Sequence, residues 1–197
     1  MMTAHDSLFK YIETHSQTQL TKSEMEVIKN AFILKKLRKR QYLLQEGEIC
    51  KYFSFIVKGA MRQYSVDDKG VEHIVQLSIE NWWVGDRESF IMLTPSTYNV
   101  DAWEDTELLV TTRAEQLDLL EKIPSISSMI LKMDERHFIA SQYRLNSVIS
   151  QTANKRYEDF ASRYPELIQR FPQHLIASYL GITKSSLSRI RNQAMKR

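Results

Sequence analysis

The stretch Gln173-His174-Leu175-Ile176-Ala177-Ser178-Tyr179-Leu180-Gly181-Ile182-Thr183-Lys184-Ser185-Ser186-Leu187-Ser188-Arg189-Ile190 decides how the chain is read. Its spacing predicts two short helices around a tight turn. Pro172 suits a first helical turn, where its missing N–H would be unpaired anyway. Ile176 and Leu180 fall on one face of the first helix, and Ala177 is small enough to let a second helix cross closely. Gly181 accepts a positive φ and so can end that helix. Ile182 plugs the turn, and Thr183 can cap the helix that follows. In that second helix Leu187, Ile190 and Ala194 are three and four residues apart and face inward. At about 100° per residue, Ser185, Ser188, Arg189, Asn192 and Lys196 point the other way.

That outward face is polar, basic and free of carboxylates. A phosphate-lined groove calls for lysine and arginine for affinity, and for short donors and an arginine to meet base edges. The pattern predicts a helix-turn-helix with its recognition helix at about 184–196. The DNA-binding residues expected are Thr183, Lys184, Ser185, Ser188, Arg189, Asn192 and Lys196. The competing reading is a structural helical hairpin with a basic face. Charge favours the first. From Lys155 to Arg197 there are nine Lys or Arg against three acids, and no acid follows Glu166. Residues 1–154 carry 18 bases and 21 acids, although the whole chain is only +3. A near-neutral body with a basic end points to a nucleic-acid partner.

Working outward, the 197 residues allow one domain or two small ones, and 43% hydrophobic with 26% charged residues are ordinary globular values. With 5 Gly and 4 Pro a long flexible linker is not expected. No apolar run is long enough to span a membrane, and Met1 to Asp6 lack the look of a secretory signal, so a cytoplasmic protein is expected. Cys50 is the single cysteine and is read as a small apolar filler.

Leu8, Phe9 and Ile12 predict a helix at about 5–15. Thr21-Lys22-Ser23-Glu24 has capping-box form, with a second helix at about 22–31. From about 32 to 112 the pattern is of short strands. Phe53, Phe55 and Val57 alternate with residues that also favour strands, and Asp67-Asp68-Lys69-Gly70 is a turn between Ala60–Val66 and Val71–Ile79. This spacing predicts a sandwich or barrel-like roll. A short helix follows at 114–121. Residues 125–152 then contain neither Gly nor Pro, and Leu131, Phe138 and Leu145 repeat every seven residues. That predicts a helix about 42 Å long. It needs a covering partner, either a second subunit or its own β-domain; Arg136, His137 and Arg144 interrupt a clean heptad seam, so both remain open.

At these residues the whole chain resembles the Crp/Fnr superfamily of bacterial transcription regulators, most closely its short Bacteroidetes-type members. The resemblance rests on His174 to Thr183 with Leu187-Ser188-Arg189-Ile190-Arg191, and on weaker pieces in the right order: Gly47-Glu48, Phe55-Ile56-Val57-Lys58-Gly59 and Trp83-Val84-Gly85-Asp86. It implies an α+β fold. Residues 1–123 would form a cyclic-nucleotide-binding-like β-roll, a double-stranded β-helix with flanking helices, as a sensor domain. Residues 124–152 would form a dimerisation helix, and 153–197 a helix-turn-helix DNA-binding domain. It further implies a homodimer on an inverted-repeat operator, with RNA polymerase as a partner and an unidentified small-molecule effector. No membrane partner, cofactor or enzymatic activity is implied.

Three departures qualify what is carried over. Base-contacting positions of the family fall on Lys184, Ser185 and Arg189, where cyclic-AMP-responsive relatives often have arginine and glutamate in the first two; the preferred site should therefore differ. The effector-pocket candidates are Gly85, Asp86, Arg87, Tyr98 and Asn99. The family's ribose-binding Gly-Glu pair looks like Gly85-Asp86, one methylene shorter, and its phosphate-binding arginine is missing near Thr97-Tyr98-Asn99. An unneutralised phosphate is costly to bury, so cyclic AMP is expected to bind poorly or not at all. The chain given also ends at Arg197, where many relatives continue into a β-hairpin wing, so the helix-turn-helix is expected to act without one.

Other constellations are weak. His5, His15, His73, His137 and His174 never pair at metal spacing, which argues against a cupin-like metalloenzyme; His73 is read as a strand residue with an ordinary hydrogen bond. Trp82 and Trp83 are read as core and rim of the roll. Lys35-Lys36 and Arg38-Lys39-Arg40 are read as a strand with a solvated face. A small-molecule-binding signalling module without DNA binding is the alternative from another class.

Overall fold

The computed structural model describes residues 3–194. Two capped helices open the chain. In α1 (Ala4–Ser16) the cap is Thr3 with Asp6, and in α2 (Lys22–Ala31) it is Thr21 with Glu24. The Thr21 N–H donates to Glu24 Oε2 at 2.8 Å and the Glu24 N–H to Thr21 Oγ1 at 3.2 Å, so the sequence motif forms a reciprocal capping box.

Eight strands follow: β1 (Ile33–Leu37), β2 (Tyr42–Leu44), β3 (Phe53–Lys58), β4 (Met61–Val66), β5 (Glu72–Ser78), β6 (Trp83–Val84), β7 (Asn99–Ala102) and β8 (Thr106–Thr111). They make two antiparallel four-stranded sheets, ordered β1-β8-β3-β6 and β2-β7-β4-β5. Consecutive strands β3 and β4 lie in different sheets. The chain crosses between them at Gly59, with φ 103°. A Cβ there would stand 2.5 Å from Thr106 Oγ1 and 2.7 Å from the Asp105 carbonyl, so only glycine fits the corner. The predicted hairpin is present as β4–β5, its turn tied by Asp67 Oδ1, which accepts the Lys69 and Val71 N–H groups at 2.9 Å each.

Between β6 and β7 lies a short helix, α3 (Arg87–Met92); after β8 come α4 (Arg113–Lys122) and α5 (Pro124–Ser150), 27 residues long. Four helices complete the described chain: α6 (Ala153–Arg163), α7 (Pro165–Arg170), α8 (Gln173–Leu180) and α9 (Lys184–Ala194). Pro172 precedes α8 as its N-cap, with ψ 157°, rather than lying inside the first turn. Its ring fixes φ near the value both positions need, so φ alone could not separate them.

Two apolar clusters hold these parts together. The first fills the roll and the space under α1, α2, α4 and the start of α5, around Leu8, Ile28, Phe55, Met61, Phe90, Leu109 and Met129. The second joins the outer face of the β4–β5 sheet to the C-terminal helices: Tyr64, Ile74 and Leu77 meet Phe160, Leu167, Phe171, Ile176 and Leu187. Each large side chain so buried contributes about 1.5–3 kcal/mol. The adjacent tryptophans divide between the clusters. Trp83 packs with Phe53, Phe55, Phe32 and Tyr11, and Trp82 meets Tyr164 edge-on at 5.8 Å.

Only the start of α5 is covered. Ser125, Ile126 and Met129 are buried, whereas Leu131, Phe138, Leu145 and Ile149 are 56–76% exposed. The arginines that interrupt the heptad in sequence lie off this seam. Arg136 donates to His15 Nε2 on α1 at 2.8 Å, and Arg144 turns toward β5 and α8. Those two arginines therefore do not interrupt the exposed apolar residues of α5.

Candidate nucleic-acid interface

The α8–α9 unit follows from its local sequence. Gly181, at φ 64°, closes α8, and the Ile182 N–H donates to the Ala177 carbonyl at 3.0 Å. Ala177 is 2% exposed, so the close crossing uses its small side chain. Thr183 Oγ1 accepts the Ser186 N–H at 3.1 Å, which makes it the cap of α9. Leu187 is fully buried and Ile190 nearly so. Replacing a leucine buried like this with alanine costs about 2–5 kcal/mol. The buried seam thus sets which face of α9 is turned outward.

On that face Lys184, Ser185, Ser188, Arg189 and Asn192 are all exposed, and no carboxylate lies on α9. Among the described residues neither Lys184 nor Arg189 enters an ion pair. Thr183 is exposed too, but its hydroxyl is engaged with Ser185 and Ser186 at 3.0 and 2.9 Å, so its role is to shape the helix start. Lys196 lies outside the described residues. The structure brings the other candidates together on one surface.

Residues that orient this unit have no motif of their own in the sequence. Arg144 of α5 donates to the Val75 and Ile74 carbonyls of β5 at 2.6 and 3.0 Å and to the Tyr179 carbonyl of α8 at 2.9 Å, with its guanidinium 4.1 Å from the Tyr179 ring centre. Ser178 Oγ accepts the Ile74 N–H at 2.9 Å. Arg170 of α7 bridges two carboxylates, donating to Glu104 at 2.6 and 2.9 Å and to Glu80 at 3.1 Å. Burial alone would raise the Glu80 carboxyl, but Arg170 and the Gly59 N–H outweigh it and hold it below the usual carboxylate range. The partners of Arg144, Ser178 and Arg170 stand 35–104 residues away in sequence, so spacing carries no trace of them.

The effector-pocket candidates are engaged by local partners, and one of these, Ser96, links Asp86 to Tyr98. Gly85 has φ 142°, and a Cβ there would press on the Tyr52 carbonyl at 3.1 Å. Asp86 is only 6% exposed. It caps α3, accepting the Glu88 and Ser89 N–H groups at 3.1 and 3.2 Å, and its other oxygen accepts the Ser96 hydroxyl at 2.6 Å. Arg87 leaves the roll to pair with Asp134 of α5 at 2.8 Å, over the Phe53 ring. The Tyr98 N–H donates to Ser96 Oγ at 3.0 Å, and Asn99 Oδ1 accepts the Glu46 N–H at 3.1 Å. The nearby Cys50 is buried, which pushes its thiol up from the ordinary value, and its N–H donates to Ser89 Oγ at 2.9 Å. His73 Nε2 stands 2.9 Å from Asp67 Oδ2. Among the described residues no three His, Cys, Asp or Glu side chains gather as metal ligands.

Residues 34–123 match the family described as the cyclic nucleotide-binding domain. Those residues are similar to that domain, and the overall fold is similar to those of solved Crp/Fnr-type regulators. FixK2 from Bradyrhizobium japonicum superposes with TM-score 0.70 at 18% identity, over 84% of this chain and 85% of that one. A CooA mutant from Carboxydothermus hydrogenoformans gives 0.69 at 18% identity, over 93% and 83%. The catabolite activator protein of Thermus thermophilus gives 0.57 at 16% identity, over 92% and 86%. At these identities the likeness is one of fold. No curated protein sequence matches the chain significantly.

Proposed function

We propose that this chain is a sequence-specific DNA-binding transcription regulator of the Crp/Fnr type, without enzymatic activity, that acts as a cytoplasmic homodimer. The observation that carries the proposal is the exposed, carboxylate-free face of α9, held by the buried Leu187 and Ile190 beneath it. Lysine and arginine supply phosphate affinity, and Arg189, Asn192 and the serines supply donors for base edges. The exposed stripe of α5 supports pairing with a second copy across a two-fold axis. Two α9 helices would then enter successive major grooves, with half-site centres about 34–36 Å apart on an inverted repeat. RNA polymerase is the expected further partner. In the described residues no helix is long and apolar enough to cross a membrane.

The roll does not answer to cyclic AMP in this proposal. What supports this is the engagement of Asp86 in the α3 cap and with Ser96, and the absence of an arginine at Thr97-Tyr98-Asn99. A gel-shift series on the promoter of the chain's own gene, at several salt concentrations, tests the regulator proposal. The expected result is binding at low salt with log affinity falling linearly as log salt rises. No retention of the fragment at low salt would overturn it.

A further inference from the structure

The sequence places Arg38-Lys39-Arg40 on a solvated strand, but β1 ends at Leu37 and the three residues form the turn into β2. Lys35 and Lys36, which do lie on the strand, have local partners. Lys35 lies over the Tyr52 ring, and Lys36 pairs with Glu107 at 2.7 Å. On the turn, Lys39 likewise lies over a ring, that of Trp103, whereas Arg38 and Arg40 have no such partner among the described residues. All three are exposed, and none enters an ion pair among the described residues. Their backbone is nevertheless fixed. The Arg38 N–H donates to Gln41 Oε1 at 2.6 Å, the Lys39 N–H to Asp105 Oδ1 at 2.8 Å, and the Arg40 N–H to the Ala102 carbonyl at 2.7 Å. Asp105, which accepts one N–H of the turn, is outnumbered by its three cations.

The turn is also tied to the C-terminal helices. The Lys39 ammonium lies 5.4 Å from the centre of the Trp103 ring. That same ring meets His174, in the first turn of α8, edge-on at 6.4 Å. His174 is exposed. In a helix-turn-helix complex the helix before the recognition helix crosses the sugar–phosphate backbone. A cationic turn beside the start of α8 then stands beside phosphates.

We propose that the Arg38–Arg40 turn grips the phosphates of duplex DNA flanking the base pairs that α9 reads. The inference rests on the DNA-binding reading and extends the contact surface from α9 onto the roll. Charge placement favours DNA as the occupant. The body that carries this turn otherwise has more acids than bases, and its unpaired consecutive cations sit where it meets α8. An acidic protein surface is the competing occupant, and the test separates it.

The experiment compares the full-length wild-type protein with the triple variant Arg38→Gln, Lys39→Gln, Arg40→Asn; asparagine suits position 40 because its φ is 69°. Lys39→Gln alone serves as a second variant should the triple one melt early. The probe is the tightest-binding duplex from a random-sequence pool, as a short form of about 22 base pairs and a long form of about 44, roughly two and four helical turns. Wild type should bind the long duplex more tightly, on the order of tenfold, and the triple variant should lose that gain while keeping wild-type affinity for the short one. Its salt slope on the long duplex should be shallower by about 2.7 for each protomer engaged. Equal wild-type affinity for both lengths, or equal loss by the variant on both, would overturn the flank contact and leave the regulator reading standing. Altered transcription with unchanged DNA affinity would overturn it in favour of a protein partner. Wild type that binds neither duplex would overturn the regulator reading, and the flank contact with it.

Discussion

The segment around α3 and the face of α9 are both polar, and they use their polar groups in opposite ways. Around α3, Asp86 holds two backbone N–H groups and the Ser96 hydroxyl, Ser89 Oγ accepts from Cys50 and donates to the Thr94 carbonyl, and Asn99 holds Glu46. On α9, Lys184, Ser188, Arg189 and Asn192 face solvent above a buried seam. A polar group already bonded inside the protein must break that bond before it can bind anything else, and a buried group left unpaired costs about 1–3 kcal/mol. A solvated cation on a rigid helix exchanges only water and counterions. The surface ready for a ligand is thus the one whose donors are idle.

The largest effect expected from breaking this contrast lies between the two regions, on α5. Phe138→Asp would set two carboxylates against each other across the proposed two-fold seam. Sedimentation should show a monomer, and operator affinity should fall on the order of hundredfold or more as bivalency is lost. A variant that remains dimeric would mean that the seam lies elsewhere. Next comes α9 itself. Arg189→Ala should cost about 1–3 kcal/mol and relax one base position, as for a bidentate guanine contact. Equal losses on every sequence would identify a phosphate contact instead. Asp86→Ala removes a helix cap and should lower folding stability by about 1 kcal/mol in denaturant titration, with operator affinity unchanged. A stable variant with altered DNA affinity would reverse the roles assigned to the two regions. The smallest effect expected is none at all: cyclic AMP should give no heat of binding in titration calorimetry. Micromolar binding would show that the α3 segment opens.

Much of this was legible because local rules dominate over short distances. The capping box at Thr21, the Asp67 turn, the Gly181 helix end and the Thr183 cap each depend on residues two to five positions apart. The recognition face followed from periodicity for the same reason. The effector-pocket set was not legible in that way. Gly85, Asp86, Arg87, Tyr98 and Asn99 come from a resemblance, and whether such residues converge depends on what else is in reach; Ser96 occupies both Asp86 and Tyr98, and Asp134 draws Arg87 to α5. The heptad reading of α5 stalled on Arg136 and Arg144 because a helical pattern shows where a side chain starts and not which neighbour receives it.

The broad succession of helices, strands and helices, the two helices at the C-terminal end and the cationic, acid-free character of the second were read from sequence alone, since each depends on backbone geometry and on the charges of neighbouring residues in the chain. Tertiary structure decided the rest. It showed which arginines meet carbonyls and carboxylates, that the outer face of one sheet completes the core of the C-terminal helices, and that the β1–β2 turn lies beside α8. Those outcomes depend on contacts between residues far apart in the chain, whose free energies are gained only when the whole fold brings them within a few ångströms.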